Sequence, residues 1–357
     1  MNFAGRIVVV VLLTAVARCN DQDNATSTIL PLARSTEEVE ALSLFVPIDT
    51  VQLDPNIVVA AIRFLDVSDS GRLLVSDYTN QIVHVFEPTG EHIRTLRTGQ
   101  CSPEHSGRPK FARFVANDEV VVAVEGGASF LFDSTGQCVE LIRSLTPTPS
   151  SICFGRDSLY GYFDTPNVPT IRSYGRHYES VRDYELVSPT YPRLASVYRG
   201  FGGLELTCAN EDVYYLFPGQ SDAISLFAYG STTRFEAPYF KAPHRDRKRL
   251  RDTADRLTDA EEIRSSSTLA VATFALDDRS RLIVHRIPSA TDPRRTDGYG
   301  LTVVLEGPNT RGYSTIVPFA PTAVRNQKMY VIGDNEWLDT DELGNQQIMV
   351  FRFMEPT

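Results

Sequence analysis

The sequence predicts an all-β fold in which one small antiparallel sheet is repeated along the chain of 357 residues. Residues 64–96 read as four short strands in succession, because β-branched and aromatic runs alternate with turns at 68–71 and 87–90. Helical periodicity is nearly absent elsewhere. A sheet of four short strands cannot bury both of its faces, so it requires copies of itself alongside.

Two sequence markers return in phase and predict how many copies there are. The first is the apolar residue at the start of the second strand of each copy, namely Leu73, Val120, Leu159, Val213, Leu282 and Met329. The second is a glycine 16 or 17 residues later, found by subtraction at Gly90, Gly136, Gly175 and Gly230. A small sheet motif that returns at a regular spacing along the chain is typical of propellers. The prediction is therefore a six-bladed β-propeller of four-stranded antiparallel blades, spanning residues 44–357.

The last copy, residues 322–354, ends before a fourth strand can form. Residues 46–53, ahead of the first copy, have a good alternating pattern and no partner of their own. We expect this N-terminal strand to complete the last blade, because the pairing closes the ring. One helical insertion, at about residues 243–266, is predicted between blades four and five from the apolar spacing of Leu250, Ala254, Leu257 and Ala260.

Residues 75–96, VSDYTNQIVHVFEPTGEHIRTL, resemble an NHL-type repeat. The chain after its leader resembles the exported six-bladed β-propeller proteins of bacteria. The resemblance implies an architecture and an envelope location. It implies no single function, because this fold carries both binding proteins and enzymes.

The N-terminus is typical of an export signal. Arg6 precedes an apolar run at residues 7–17 that is too short to span a bilayer, and residues 15–17 fit a small-x-small cleavage site. We therefore expect residues 1–17 to be a signal peptide, residues 18–43 a flexible tether, and the protein to be periplasmic or extracellular. The alternative is a lipoprotein with a leader of residues 1–18, lipidated at Cys19, although Arg18 stands where a small residue is expected.

Export makes disulfides feasible. Cys153 lies six residues before its strand marker and Cys208 five before the next marker, so the two have opposite parity on neighbouring inner strands. Facing blades pack opposite faces together, which favours a cross-blade bond between this pair. Buried free thiols are the alternative, and Cys101 and Cys138 flank blade two and are another candidate pair. No CxxC or Cys/His cluster indicates zinc.

Three long segments, residues 238–267, 288–300 and 333–345, are predicted to emerge on one rim over blades four to six. Loops on a rigid scaffold commonly bind partners. The predicted binding residues on this rim are Trp337, Asp334, Glu336, Asp339, Asp341, Arg247 and Arg251. We therefore expect a non-catalytic protein that binds a protein or small-molecule ligand in the cell envelope. The net charge of -10 argues against nucleic acid, and membrane contact is expected only through a lipid at Cys19.

A metal-dependent propeller hydrolase, such as a calcium lactonase with its site in the central channel, is the alternative function. Among predicted inner-strand residues, Asp66, Asn117 and Glu205 are the candidates for such a site, and they are expected to occupy unmatched positions. No cofactor is predicted. Calcium is an alternative occupant of the acidic loop around Asp339 and Asp341.

Overall fold

The structure of the protein is a computed structural model. It describes residues 37–115, 118–125, 127–145, 148–155, 158–163, 170–175, 177–185, 205–209, 212–216, 223–225, 232–233, 268–289, 291–292, 296–305, 311–333 and 346–356. The predicted helical insertion at 243–266 lies outside these residues. No helix among the residues described is long and apolar enough to cross a membrane.

The described strands form separate small sheets that follow one another along the chain. Sheet 1 contains β3 (Ile62–Val67), β4 (Leu73–Asp77), β5 (Ile82–Phe86) and β6 (His92–Leu96). Sheet 2 contains β7 (Pro109–Phe114), β8 (Val120–Val124), β9 (Ser129–Phe132) and β10 (Cys138–Leu141). Sheet 3 contains β11 (Ser151–Phe154), β12 (Leu159–Phe163), β13 (Thr170–Tyr174) and β14 (Ser180–Glu185).

The remaining sheets follow the same order. Sheet 4 contains β15 (Glu205–Ala209), β16 (Asp212–Leu216), β17 (Ala223–Ser225) and β18 (Thr232–Thr233). Sheet 5 contains β19 (Leu269–Ala275), β20 (Ser280–Pro288), β21 (Thr296–Leu305) and β22 (Arg311–Val317), with β1 (Glu37–Glu38) added at its edge. Sheet 6 contains β23 (Ala323–Arg325), β24 (Lys328–Ile332) and β25 (Gln347–Phe353), with β2 (Phe45–Gln52) as its fourth strand. Up-and-down, four-stranded antiparallel blades of this kind make the molecule an all-β propeller.

The predicted position of the strand markers, in the second strand of each copy, is confirmed. Leu73, Val120, Leu159, Val213, Leu282 and Met329 each lie in the second strand of their sheet. Alternation explains why they recur, since successive residues of these strands pack against different neighbours. Leu73 lies in a core cluster with Ile348 of sheet 6, whereas Leu74 lies in a cluster with Val122 of sheet 2.

The predicted closure of the last sheet is also confirmed. β2 pairs antiparallel with β25, from Phe45 opposite Phe353 to Gln52 opposite Gln347. The segment ahead of β2, which the sequence assigned to the tether of residues 18–43, is folded from residue 37 onward. β1 pairs in parallel with β22, and the short helix α1 (Ala41–Leu44) leads into β2. Leu44 is fully buried in the core between sheets 5 and 6, which explains why this stretch is held in place.

Sheet 5 departs from the predicted pattern. It has five strands, because β1 extends its outer edge. The predicted long loop at 288–300 is instead a continuation of the β20–β21 hairpin, in which Pro288 lies opposite Thr296 and Arg286 opposite Tyr299. A hydrogen bond of 2.7 Å from Arg286 Nε to Thr296 Oγ1 supports this extension.

The helices that remain in the described part of the chain are short. They are α2 (Thr98–Cys101) and the 3₁₀ turns Pro103–His105 and Arg143–Leu145, all in connections of sheets 1 to 3. The core therefore consists almost entirely of sheet faces that pack against one another. The first strands of the sheets surround the centre of the ring.

Candidate functional site

The first strand of each sheet contacts the first strand of the next, in the order β3, β7, β11, β15, β19 and β23, and β23 contacts β3. These strands surround a cavity of about 430 Å³. Every one of them contributes to its lining, from Leu65 and Asp66 on β3 to Val324 and Arg325 on β23. The volume lies within the range of about 300–1,000 Å³ that is usual for small-molecule pockets.

The cavity lies toward one end of the ring. Its lining includes the final residues of the first strands and the turns that follow them, such as residues 68–70 and Asp118. The connections from second to third strand, and from one sheet to the next, leave the opposite ends of these strands. The start of β19 and the ends of β20 and β24, which border the three long segments in the sequence, lie at those opposite ends of the sheets, away from the cavity.

The predicted rim residues lie outside the residues that the structure describes. They are Trp337, Asp334, Glu336, Asp339, Asp341, Arg247 and Arg251, and the candidate lipidation residue Cys19 also falls outside. The binding role of the rim and a calcium ion in its acidic loop therefore stay predictions. The described part of the chain holds no cluster of three or more His, Cys, Asp or Glu side chains that would suit a metal ion.

Residues in the same register as Asp66 can be identified on four other first strands, and none of the four has a carboxylate or amide side chain. Asp66 lies opposite the residue that follows the strand marker of its sheet, Leu74. The same register holds for Arg113 opposite Val121, Cys153 opposite Tyr160, Thr207 opposite Tyr214 and Ala323 opposite Tyr330. All five of these first-strand residues line the cavity. Aligning the first strands on their markers would have found Arg113. Asn117 and the side chain of Glu205 lie outside the part of the chain that the structure describes.

Asp66 is held against the neighbouring sheet. Its Oδ2 accepts a hydrogen bond of 2.7 Å from the backbone amide of Phe114, and the amide of Val67 also donates to this carboxylate. Burial raises the pKa of Asp66, and the positive charges of Arg113 and Arg325 offset part of that rise. The carboxylate is thus fixed in the cavity wall, chiefly by backbone donors.

Two further carboxylates of the lining are paired with arginines. Asp69 forms an ion pair with Arg325, whose Nε lies 2.8 Å from Oδ1 of Asp69. Asp118 pairs with Arg72 over 3.0 Å. Each negative charge at these positions therefore has a cation in contact with it.

Arg113 is in a different situation. The one hydrogen bond that its guanidinium makes with described residues runs 3.2 Å from Nη1 to the carbonyl oxygen of the preceding residue, Ala112. No carboxylate in the described part of the chain forms an ion pair with it. Since a guanidinium carries five N–H donors, most of those on Arg113 are left for the cavity.

Both predicted disulfide pairs are bonded. Cys153 and Cys208 join the first strands of sheets 3 and 4, with Cα atoms 5.5 Å apart, and both residues line the cavity. Cys101, in the connection between sheets 1 and 2, is joined to Cys138 on β10, the outer strand of sheet 2, also with Cα atoms 5.5 Å apart. The first of these bonds fixes part of the cavity wall covalently.

The rest of the lining combines apolar surface with hydroxyl groups. Phe114, Phe154 and Phe274 contribute aromatic rings from three different sheets. Thr273 also lines the cavity, and its Oγ1 is buried without a hydrogen-bond partner among the described residues. Apolar walls with a few placed polar groups are typical of sites that bind small organic molecules.

Comparison with solved structures finds the same fold in two bacterial proteins. One is a candidate exported protein from Bacteroides fragilis NCTC 9343, with a TM-score of 0.62 and 10% sequence identity, covering 90% of this chain and 99% of that one. The other is a member of the DUF4221 family from Bacteroides vulgatus ATCC 8482, with a TM-score of 0.54 and 10% identity, covering 87% and 98%. No protein-family model matches the chain, and no curated protein matches it. At this identity the likeness concerns the fold alone.

Proposed function

We propose that this protein is an exported, six-bladed β-propeller that binds a small molecule in its central cavity. The observation that carries the proposal is the lining itself, in which apolar rings, three threonines and the Asp66 and Arg113 charges converge on one cavity. A cavity with these features can enclose and orient an organic ligand.

The proposed count of six blades treats sheet 5, with its extra edge strand, as one blade of the ring. The contact between β23 and β3 supports this count. Export is supported by the N-terminal sequence pattern and by the structural likeness to a candidate exported protein. The resemblance of residues 75–96 to an NHL-type repeat fits the same picture.

The loops over sheets 4 to 6 are proposed to bind a partner on the opposite rim. The described strand ends support a shared rim, because β20 and β24 both end, and β19 begins, at the same end of their sheets. A calcium-dependent hydrolase remains the alternative function, and turnover of a lactone by calcium-loaded protein would favour it over a binding protein.

Native mass spectrometry of the protein after incubation with a metabolite extract tests the proposed function. We expect a bound small molecule on the wild type that is lost from Ala275→Trp, since a tryptophan at this cavity-lining position would fill the space. Val139→Trp is the matched control, because Val139 is exposed on β10 and away from the cavity. Equal retention by Ala275→Trp and the wild type, with both folded, would contradict the proposal.

A further inference from the structure

We propose that the molecule bound in the cavity carries a carboxylate group, and that Arg113 binds this group. This inference rests on the proposed function and adds the chemical class of the ligand. It follows from the charges of the lining, from the hydrogen bonds already made there, and from the apolar surface beside them.

The first step concerns the donors of Arg113. Arg113 lines the cavity, and its guanidinium makes one hydrogen bond to the described residues, to the carbonyl oxygen of Ala112. A guanidinium that forms no ion pair with a carboxylate among the described residues is suited to an anion from outside. Its planar fork matches the two oxygens of a carboxylate, and such bidentate bonds are among the strongest hydrogen bonds in proteins.

The second step concerns the neighbouring carboxylates. Asp69 and Asp118 are occupied by Arg325 and Arg72 respectively. Asp66 accepts hydrogen bonds from the amides of Phe114 and Val67. The described lining has two cations, Arg113 and Arg325, and Arg113 is the one that forms no ion pair with a described carboxylate.

The third step separates a carboxylate from a phosphate. Asp66 and Arg113 influence each other electrostatically without forming an ion pair, so the positive charge available to a ligand is that of one guanidinium with a carboxyl group nearby. A phosphate dianion would require several cations or a series of backbone amides, as in known phosphate sites. One uncommitted guanidinium beside a carboxylate suits a ligand with a single negative charge.

The fourth step concerns the body of the ligand. Phe114, Phe154 and Phe274 supply apolar rings within a cavity of about 430 Å³, and the hydroxyl of Thr273 lacks a partner among the described residues. An organic acid with an apolar or aromatic body would use both parts of this lining.

Calorimetric titration with benzoate, phenylacetate and 3-phenylpropionate, each compared with its neutral amide, tests the inference. The probes are taken to about 10 mM, which would nearly saturate a complex with a dissociation constant near 1 mM. We expect at least one acid to bind about tenfold or more tightly than its amide. Arg113→Gln should remove that difference, and Arg113→Lys should retain part of it, because lysine keeps the charge and loses the fork.

Arg182→Gln is the matched control, since Arg182 is exposed on β14, and urea unfolding shows whether each variant is folded. Equal binding of acid and amide by the wild type, unchanged acid binding by folded Arg113→Gln, or failure of all three acids to bind would overturn the inference. A neutral molecule found by native mass spectrometry, and lost from Ala275→Trp, would overturn the inference while leaving the proposed function intact. If Ala275→Trp is folded and retains the bound molecule, whether that molecule is neutral or anionic, the proposed function itself is contradicted.

Discussion

The carboxylate of Asp66 accepts a hydrogen bond from the backbone amide of Phe114, with Oδ2 and the nitrogen 2.7 Å apart. The bond joins the first strand of sheet 1 to the first strand of sheet 2 at the cavity. A comparable bond joins sheets 3 and 4, where the amide of Leu206 donates to Ser151 Oγ over 3.3 Å. Polar side chains at the centre therefore tie adjacent sheets together in addition to their apolar packing.

Two substitutions at Asp66 are expected to distinguish the contribution of its hydrogen bonds to stability from the contribution of its charge. Asp66→Asn keeps an acceptor for the Phe114 amide and removes a charge that burial disfavours. We expect this variant to be at least as stable as the wild type at pH 7. Asp66→Ala leaves the amide without its acceptor and should be about 1–3 kcal/mol less stable than Asp66→Asn. Urea unfolding of the three proteins measures both differences.

The pH dependence of the same comparison has a defined sign. The pKa of Asp66 is raised in the folded state, so its contribution to stability is fully present below its ordinary pKa and is lost as the pH rises through the folded value. The stability of Asp66→Asn relative to the wild type should therefore increase from pH 4 to pH 7. A constant difference would contradict the burial of this carboxylate.

Gly90 is expected to be essential where the outer turn of sheet 1 meets the closing strand. Its φ is +91°, and a Cβ there would lie 2.0 Å from the carbonyl oxygen of Gln52 on β2. Gly71 has a similar φ of +87°, but a Cβ there would first meet the Pro88 Cγ at 3.3 Å. Gly71→Ala should cost about 1–3 kcal/mol for the backbone strain alone. Gly90→Ala should cost at least about 1 kcal/mol more, because backbone must also move. Equal losses in urea unfolding would count against the contact with β2.

The Cys153–Cys208 bond is expected to stabilise the ring around the cavity. It links residues 55 apart in sequence, and constraining a loop of that size in the unfolded chain is worth about 2–4 kcal/mol. The double variant Cys153→Ser, Cys208→Ser should lose about this amount in guanidinium unfolding under non-reducing conditions. The corresponding Cys101, Cys138 double variant, whose loop spans 37 residues, provides the comparison for a bond outside the cavity. If the wild type with reduced thiols unfolds at the same denaturant concentration as the oxidised protein, the bonds contribute nothing.

His84 is expected to make the fold sensitive to acid. The side chain is 3% exposed, and its Nδ1 lies 2.9 Å from Thr95 Oγ1. Burial, with repulsion from His92, lowers the pKa of His84 to about 4. Because the unfolded chain binds a proton at higher pH than the folded chain, stability is present above about pH 6.5 and is lost as the pH falls toward 4.

The expected loss from His84 over that interval is up to about 3 kcal/mol. Urea unfolding at several pH values between 4 and 7 measures it. His84→Asn, which retains a group near the position of Nδ1 and carries no titratable proton in this range, should flatten the profile. His177→Asn, at an exposed position, should leave it unchanged. An unaltered profile in His84→Asn would show that other groups control the acid sensitivity.

The repeat itself could be predicted from the sequence because strand periodicity and turn glycines are local signals. Leu73 and its counterparts all lie in second strands, and the closing strand was predictable because the last repeat lacked a partner. The pairing of Cys153 with Cys208 followed from parity on adjacent strands. These features depend on short-range pattern and on the need to complete a sheet.

Other features depend on packing between distant segments. Pairing of β1 with β22 requires contact between residues 37 and 313, and no pattern in two residues predicts it. The extended hairpin in sheet 5 was read as a loop because Pro288 and three glycines or prolines nearby are typical of turns. Arg113 was overlooked because a single arginine in a strand that also contains Lys110 forms no motif, and only its register opposite Val121 relates it to Asp66.

A crystal structure of the protein purified with the small molecule that native mass spectrometry identifies would test the central claim most directly. The account predicts electron density for that molecule inside the ring, with an anionic oxygen pair against the Arg113 guanidinium and the remainder against Phe114, Phe154 or Phe274. Density on the outer rim, with only water in the central cavity, would contradict it.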